Sequence, residues 1–425
     1  MPKELSVTST PEIDALIASN APVAIGVSGG KDSQAAALAT FEHLDVVGHT
    51  GPRLLIHSDL GRLEWKDSLP VCERLAKHLG TDLIVVRKGD LMDRWNSRWR
   101  SSLRRYANLE TVVLVPPWST PSMRFCTSEF KTHIIGAELR RRFRGRPIIN
   151  VTGVRREESL ARAKGSIASW DADRKTITWR PISDWTVEQV FSRINSRGLA
   201  LHPAYTVHGL SRVSCKRCIM QNKQDQLRAS SVSETVDIDR EIVGLEIRST
   251  FAFQGSRWLG DVAPHLLSDE MLQGLTVAKQ KAATRMSLEK LLTKDMLYCK
   301  PKRHPQPDRA AALEVVRVER WPMRKLTDEE AAILAGVRRG VCELLGIESK
   351  YLDIQSIHGR YAELMAANAA RRDRSRGEFA RRRGNLSDPP ADVRECVPRD
   401  MPLWPLPNEG AGGEIISSLD DGFGL

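Results

Sequence analysis

A chain of 425 residues, 41% hydrophobic and 28% charged, has length for one to three domains and a sizeable core. No apolar run approaches the roughly 20 residues of a membrane span, and Met1–Ser6 has no apolar signal core, which predicts a cytoplasmic protein with no membrane partner. A net charge of +11 points to anionic partners (nucleotides, sulfonucleotides or nucleic acid), and seven scattered cysteines in such a chain suit free, metal-bound or cluster-bound thiols better than disulfides.

In chain order, Thr10-Pro11-Glu12 starts a short lead-in helix, and Val23–Val27 has the length and bounds of a buried strand. The turn Ser28-Gly29-Gly30-Lys31-Asp32-Ser33 follows, then Ala35–Ala39 as the opening of a helix. Strand, small-residue loop and helix together aim backbone N–H groups and a helix N-terminus at an anion. Gly29 and Gly30 permit positive φ and close approach, Ser28 and Ser33 offer hydroxyls, and Lys31 supplies a charge. Asp32 is an odd neighbour for a bare phosphate and suggests a cation or a hydroxyl nearby. The Walker pattern is excluded, because Ile25 stands where it needs Gly and Asp32 where it needs Ser or Thr.

A second strand, Arg53–His57, runs into the polar turn Ser58-Asp59-Leu60-Gly61, which places Asp59 at a carboxyl edge where open α/β sheets bind ligands. Residues 64–79 read as a helix and Asp82–Val86 as a third strand. Trp95, Trp99 and the surrounding arginines form an aromatic-basic helical patch, read first as a lid or packing helix and second as a nucleic-acid contact. After a proline loop comes the segment Arg124–Lys131 with Cys126, a helix ending in Arg140–Arg142, and the strand Pro147–Val151. The loop Gly153-Val154-Arg155-Arg156 then offers two guanidinium groups for an anion. A hairpin spans 166–180, a capping box at Thr186 and Gln189 opens a helix, and a loop carries Cys215-Lys216-Arg217-Cys218. Strands alternating with helices predict a parallel, doubly wound α/β sheet.

The turn at 28–33 resembles the PP-loop of the ATP pyrophosphatase (adenine nucleotide alpha hydrolase-like) superfamily. With His57–Gly61, the Cys126 segment, Gly153–Ser159, Pro181–Trp185 and His202–Cys218, it resembles the phosphoadenosine-phosphosulfate (PAPS) reductase family within it, over about residues 20–225. The resemblance implies an adenine nucleotide, ATP or PAPS, across the carboxyl edge. Its phosphates or sulfate would meet Ser28, Gly29, Gly30, Lys31, Asp32, Ser33, Gly153, Arg155 and Arg156, with adenosine near Asp59 and Mg²⁺ bridging the phosphates.

Two departures bear on the chemistry. Family reductases use a cysteine in a Glu-Cys-Gly-type tail, whereas Glu395-Cys396 is followed here by Val397, so Cys396 is a nucleophile only under a reductase reading. Cluster-bearing members hold [4Fe-4S] on a Cys-Cys pair plus Cys-x-x-Cys; this chain keeps Cys126, Cys215 and Cys218, with Cys299 as a fourth candidate and zinc as an alternative occupant. The resemblance extends to tRNA-thiolating enzymes and to components of DNA phosphorothioation systems.

The expected organisation is a nucleotide-binding domain at 1–225, a helical extension at 226–385 and a Pro/Gly-rich tail at 386–425. Thr327 and Glu330 make a second capping box, and a helix spans Ser356–Arg383 with an arginine-rich end that could touch DNA or RNA. Three functions stay open. One is ATP pyrophosphatase or adenylyl-transfer activation for sulfur insertion, with Lys31 catalytic and a sulfur-donor partner. Another is PAPS reduction releasing sulfite, with Cys396 and a thioredoxin-like partner. The third is a non-catalytic nucleotide- or DNA-binding module.

Overall fold

The computed structural model of the protein describes residues 6–171, 174–297, 321–322 and 324–384, with the backbone alone at 294, 295 and 372–384. Cys299, Cys396 and the tail 386–425 lie outside the described residues.

The sheet is built from β1 (Val23–Val27), β2 (Arg53–Asp59), β3 (Asp82–Arg87), β4 (Ile148–Val151), β5 (Ala168–Trp170) and β6 (Thr176–Trp179), in the order β3-β2-β1-β4-β6-β5. Every pairing is parallel except β5 with β6, which is the expected hairpin. β1 alternates by face, as a period-two strand must. Val23, Ile25 and Val27 join one core layer with Ile13, Leu44, Trp179 and Trp185, while Ala24 joins the other with Leu54, Ile56, Leu139 and Ile148. Both faces are covered, so the central strands carry no polar alternation.

The helices around the sheet are α1 (Pro11–Ala18), α2 (Lys31–Val46), α3 (Ser68–Leu79), α4 (Leu91–Ala107), α5 (His133–Arg142) and α6 (Val187–Ser196). Thr10 caps α1 by accepting from the Ile13 N–H, and Thr186 and Gln189 cap α6 reciprocally while Trp185 and Val190 are both buried beside it. Ala35, Ala36 and Ala37 are fully buried in α2, and their small side chains let that helix lie close on the sheet.

One sequence expectation needs correction. The helix read over 64–79 starts only at Ser68, because Gly61, at φ +71°, opens a single turn over Gly61–Leu63 and the backbone then extends at Glu64. The Asp59 carboxylate fixes that turn by accepting from the Gly61 N–H at 2.8 Å. Glu64 is thereby taken off the helix and left at the carboxyl edge of the sheet.

α4 is a packing helix: Trp95 meets Phe253 at 5.6 Å and Trp99 meets Phe251 at 6.2 Å between ring centroids. The second half is helical, with α7 (Lys223–Ser230), α8 (Val236–Ser249), α9 (Asp269–Glu289), α10 (Asp328–Leu345) and α11 (Ile354–Gly384) as its main helices. α10 begins at the expected capping box of Thr327 and Glu330. No helix among the described residues is long and apolar enough to cross a membrane.

The chain lays β2 and β3 on one side of β1 and then crosses to place β4 on the other. That reversal between β1 and β4 is a switch point of the kind at whose carboxyl edge open α/β sheets bind ligands.

Candidate active site

The loop after β1 is braced from within. Ser33 Oγ accepts from the Ser28 N–H at 3.2 Å and donates to the Gly30 carbonyl at 2.9 Å, and Gln34 Nε2 donates to the Gly29 carbonyl at 3.1 Å. Gly29 has φ +74°, and a Cβ there would lie 3.1 Å from the Ser68 carbonyl oxygen and from His202, so both its conformation and its surroundings require glycine. Gly30 stands as the N-cap of α2 with no side-chain cap. The first turn of a sixteen-residue helix therefore begins at the loop, beside the exposed Ser28, with the Lys31 N–H donating to Tyr205 Oη at 3.2 Å.

Lys31 is only 6% exposed. Its ammonium sits 3.0 Å from Asp32 and 5.7 and 6.0 Å from the ring centroids of Tyr205 and Phe191. The other Asp32 oxygen accepts from Arg155 Nε at 2.7 Å. The cation that the sequence suggested near Asp32 is thus supplied twice by the chain itself. Arg155 is buried, paired also with Glu157 and donating to the Trp185 carbonyl at 3.3 Å; Arg156 is half-buried and paired with Asp184. Arg155 holds the loop after β4 against the start of α2, and Arg156 lies farther out. At the other flank Asp59 engages Arg87 at 3.3 Å.

Gly153 makes the β4 contact possible, since a Cβ there would lie 2.4 Å from the Asp32 carbonyl oxygen. Both partners are backbone, so neither can swing away. Gly153→Ala is expected to destabilise the protein by about 2–3 kcal/mol and to weaken nucleotide binding, measured by urea unfolding and by titration with ATP.

Between the β1 and β2 edges lies a cavity of about 210 Å³, lined among others by Ser28, Ser58, Glu64, Lys131 and Cys215. Burial pushes the Glu64 carboxyl up, against the opposing pull of Lys131 and His57. The neighbouring Cys218 thiol and burial push the Cys215 thiol up, while the neighbouring Cys215 thiol and the Met220 N–H, which donates to Cys218 Sγ at 3.4 Å, pull Cys218 down. Lys131 favours the thiolate form of both.

Cys126 is near enough to act electrostatically on Cys215. Even so, no group of three or more His, Cys, Asp or Glu side chains among the described residues is placed to hold a metal ion.

The second half of the chain fixes both cysteine segments. Arg217, between the two thiols of the turn, makes a two-pronged pair with Asp239 of α8 in which both side chains are fully buried, and it donates to the Gln226 carbonyl at 2.9 Å. Gln254 Nε2 donates to the carbonyls of Cys218 and Gln221 at 3.1 and 2.9 Å. On the other segment, Ser119 Oγ accepts from the Cys126 N–H at 3.1 Å, and the neighbouring Trp118 donates to the Ala252 carbonyl at 3.0 Å. Sequence reasoning missed Glu64, Lys131, Tyr205 and the Arg217–Asp239 pair. Only Arg217 carried a signal, as a cation inside a Cys-x-x-Cys turn.

Residues 22–221 match the family described as the phosphoadenosine phosphosulfate reductase domain. An uncharacterized 37.8 kDa protein of Escherichia phage 186 is 27% identical over 238 residues, 47% of this chain and 68% of that protein. The adenosine 5'-phosphosulfate reductase of Streptomyces coelicolor is 34% identical over 67 residues, 16% of this chain and 28% of the reductase. Among solved structures, the PAPS reductase from Candida auris in its phosphate complex is matched over 50% of this chain and 98% of that one, at 14% identity and a TM-score of 0.31.

Proposed function

We propose a reaction for a chain whose residues 22–221 belong to the phosphoadenosine phosphosulfate reductase domain family: activation of a substrate by ATP, with release of pyrophosphate, in sulfur-related chemistry. The observation that carries it is the glycine-built N-terminus of α2 at the carboxyl edge of the sheet, with the buried Lys31 beside it. ATP would enter with its phosphates against Ser28–Ser33 and its adenosine toward Asp59. A substrate oxygen attacks the α-phosphorus, the bond to the bridging oxygen breaks, and pyrophosphate leaves. The amides and Lys31 stabilise the charge that grows on the leaving group. ATP would arrive as its Mg²⁺ complex; Asp32, engaged by Lys31 and Arg155, stays with the protein.

Cys215 and Cys218 would supply the thiol chemistry that follows activation, the residues up to 225 serving the nucleotide and Asp239, Ala252 and Gln254 beyond them bracing the cysteine segments. The family match favours a second reading, reduction of PAPS with release of sulfite, whose nucleophile Cys396 lies outside the described residues. The two separate in parallel assays of the anaerobically purified chain. Pyrophosphate from ATP without sulfite from PAPS is expected; sulfite from PAPS with no turnover of ATP would replace the first reading by the second. Nucleotide binding without turnover of either would leave a binding module.

A further inference from the structure

The segment 202–218 lies directly on the phosphate loop, and one oxygen makes the junction. Tyr205 Oη accepts from the Lys31 N–H at 3.2 Å and from the Val213 N–H at 3.2 Å. Lys31 is the first residue of α2, so its N–H is one of the helix-end donors that have no partner within the helix. The same oxygen lies 3.7 Å from the position of a Cβ on Gly30, and the Val213 side chain 3.5 Å from it. A neutral acceptor supplied by the chain thus stands where two amides converge, in the place of an anion oxygen. Two residues beyond Val213 comes Cys215.

We propose that Tyr205 is a positioning residue that ties the phosphate loop to the cysteine turn, and that a nucleotide phosphate competes with its hydroxyl for the Lys31 N–H and so loosens the chain leading to Cys215. The proposal rests on the loop being the phosphate site. Occupancy of the loop withdraws the Lys31 N–H from Tyr205; the phenol then keeps only the Val213 N–H, and the chain from Val213 to Cys215 loses its tie to α2 while Arg217 and Asp239 still hold the far side of the turn. Nucleotide binding is in this way coupled to exposure of the thiols. The gate also costs affinity, because the ligand must break the phenol's hydrogen bond before making its own.

The test uses the full chain and inorganic pyrophosphate as probe, with Tyr205→Phe, which removes one oxygen and keeps the ring against Phe191 and Lys31. Calorimetric titration is expected to show pyrophosphate binding about 3- to 10-fold tighter to the variant, since a competing hydrogen bond is gone. In the wild type, pyrophosphate is expected to speed alkylation of Cys215 and Cys218; in the variant the rate is expected to be already high and insensitive to pyrophosphate. A tyrosine that merely supports the fold gives the opposite, weaker binding and labelling that pyrophosphate leaves unchanged. Equal or weaker affinity in the variant, or wild-type labelling indifferent to pyrophosphate, overturns the gate while leaving the phosphate site standing. Absence of pyrophosphate binding to either protein overturns the phosphate site and the gate together.

Discussion

Replacing Lys31 by Ala is expected to lower kcat/KM for pyrophosphate release by roughly 10²–10³-fold, because the one buried ammonium of the loop is removed where leaving-group charge develops. The fold is expected to survive. Asp32, which loses the ammonium at 3.0 Å, keeps Arg155 at 2.7 Å, so no carboxylate is left alone in a low-dielectric site. Lys31→Arg should not restore the rate. The ammonium lies 5.7 and 6.0 Å from the Tyr205 and Phe191 ring centroids, and a planar guanidinium is longer and differently shaped than the group it would replace. Steady-state kinetics beside circular dichroism checks both points. A variant that folds and turns over at the wild-type rate would remove Lys31 from the mechanism.

The second large effect is expected far from the nucleotide. Asp239→Ala leaves the Arg217 guanidinium buried without its counter-charge and is expected to cost about 3–5 kcal/mol of stability, read from chemical denaturation. Burial pushes the Asp239 carboxyl up while Arg217 and Thr235 pull it down, so its charge depends on that partner. The double variant Arg217→Met with Asp239→Leu replaces the pair by packed apolar groups and is expected to recover most of the loss. It also separates stability from function, since it retains the fold while removing the cation that ties the Cys215–Cys218 turn to α8. Slower turnover in a stable double variant would show that the pair positions the thiols; unchanged turnover would confine it to the fold.

Those two sites mark where sequence reasoning succeeds and where it stops. The loop at Ser28–Ser33 was legible because everything that makes it an anion site is local: an apolar strand, two glycines, a helix start. The strands were legible for the same reason, as short apolar runs bounded by turns. Glu64 was misread because residues 64–79 carry apolar spacing that fits a helix, and only the Asp59 bond to the Gly61 N–H shows that the chain turns first. Tyr205 was invisible because its partner Lys31 is 174 positions away, and no periodicity encodes a contact between a phenol and a distant amide. The bracing of the cysteines by Asp239 and Gln254 was missed likewise. The second half could be read only as one capping box at Thr327 and Glu330 and a helix over Ser356–Arg383, and neither says what those helices hold.

Equilibrium binding of ATP to the full-length chain, followed by calorimetry and by competition with pyrophosphate, is the most direct test of the phosphate site at the N-terminus of α2. One ATP per chain, displaced by pyrophosphate and lost or strongly weakened in Lys31→Ala, is the expected result. No heat at millimolar ATP, or ATP binding that pyrophosphate does not displace and Lys31→Ala does not change, would contradict it.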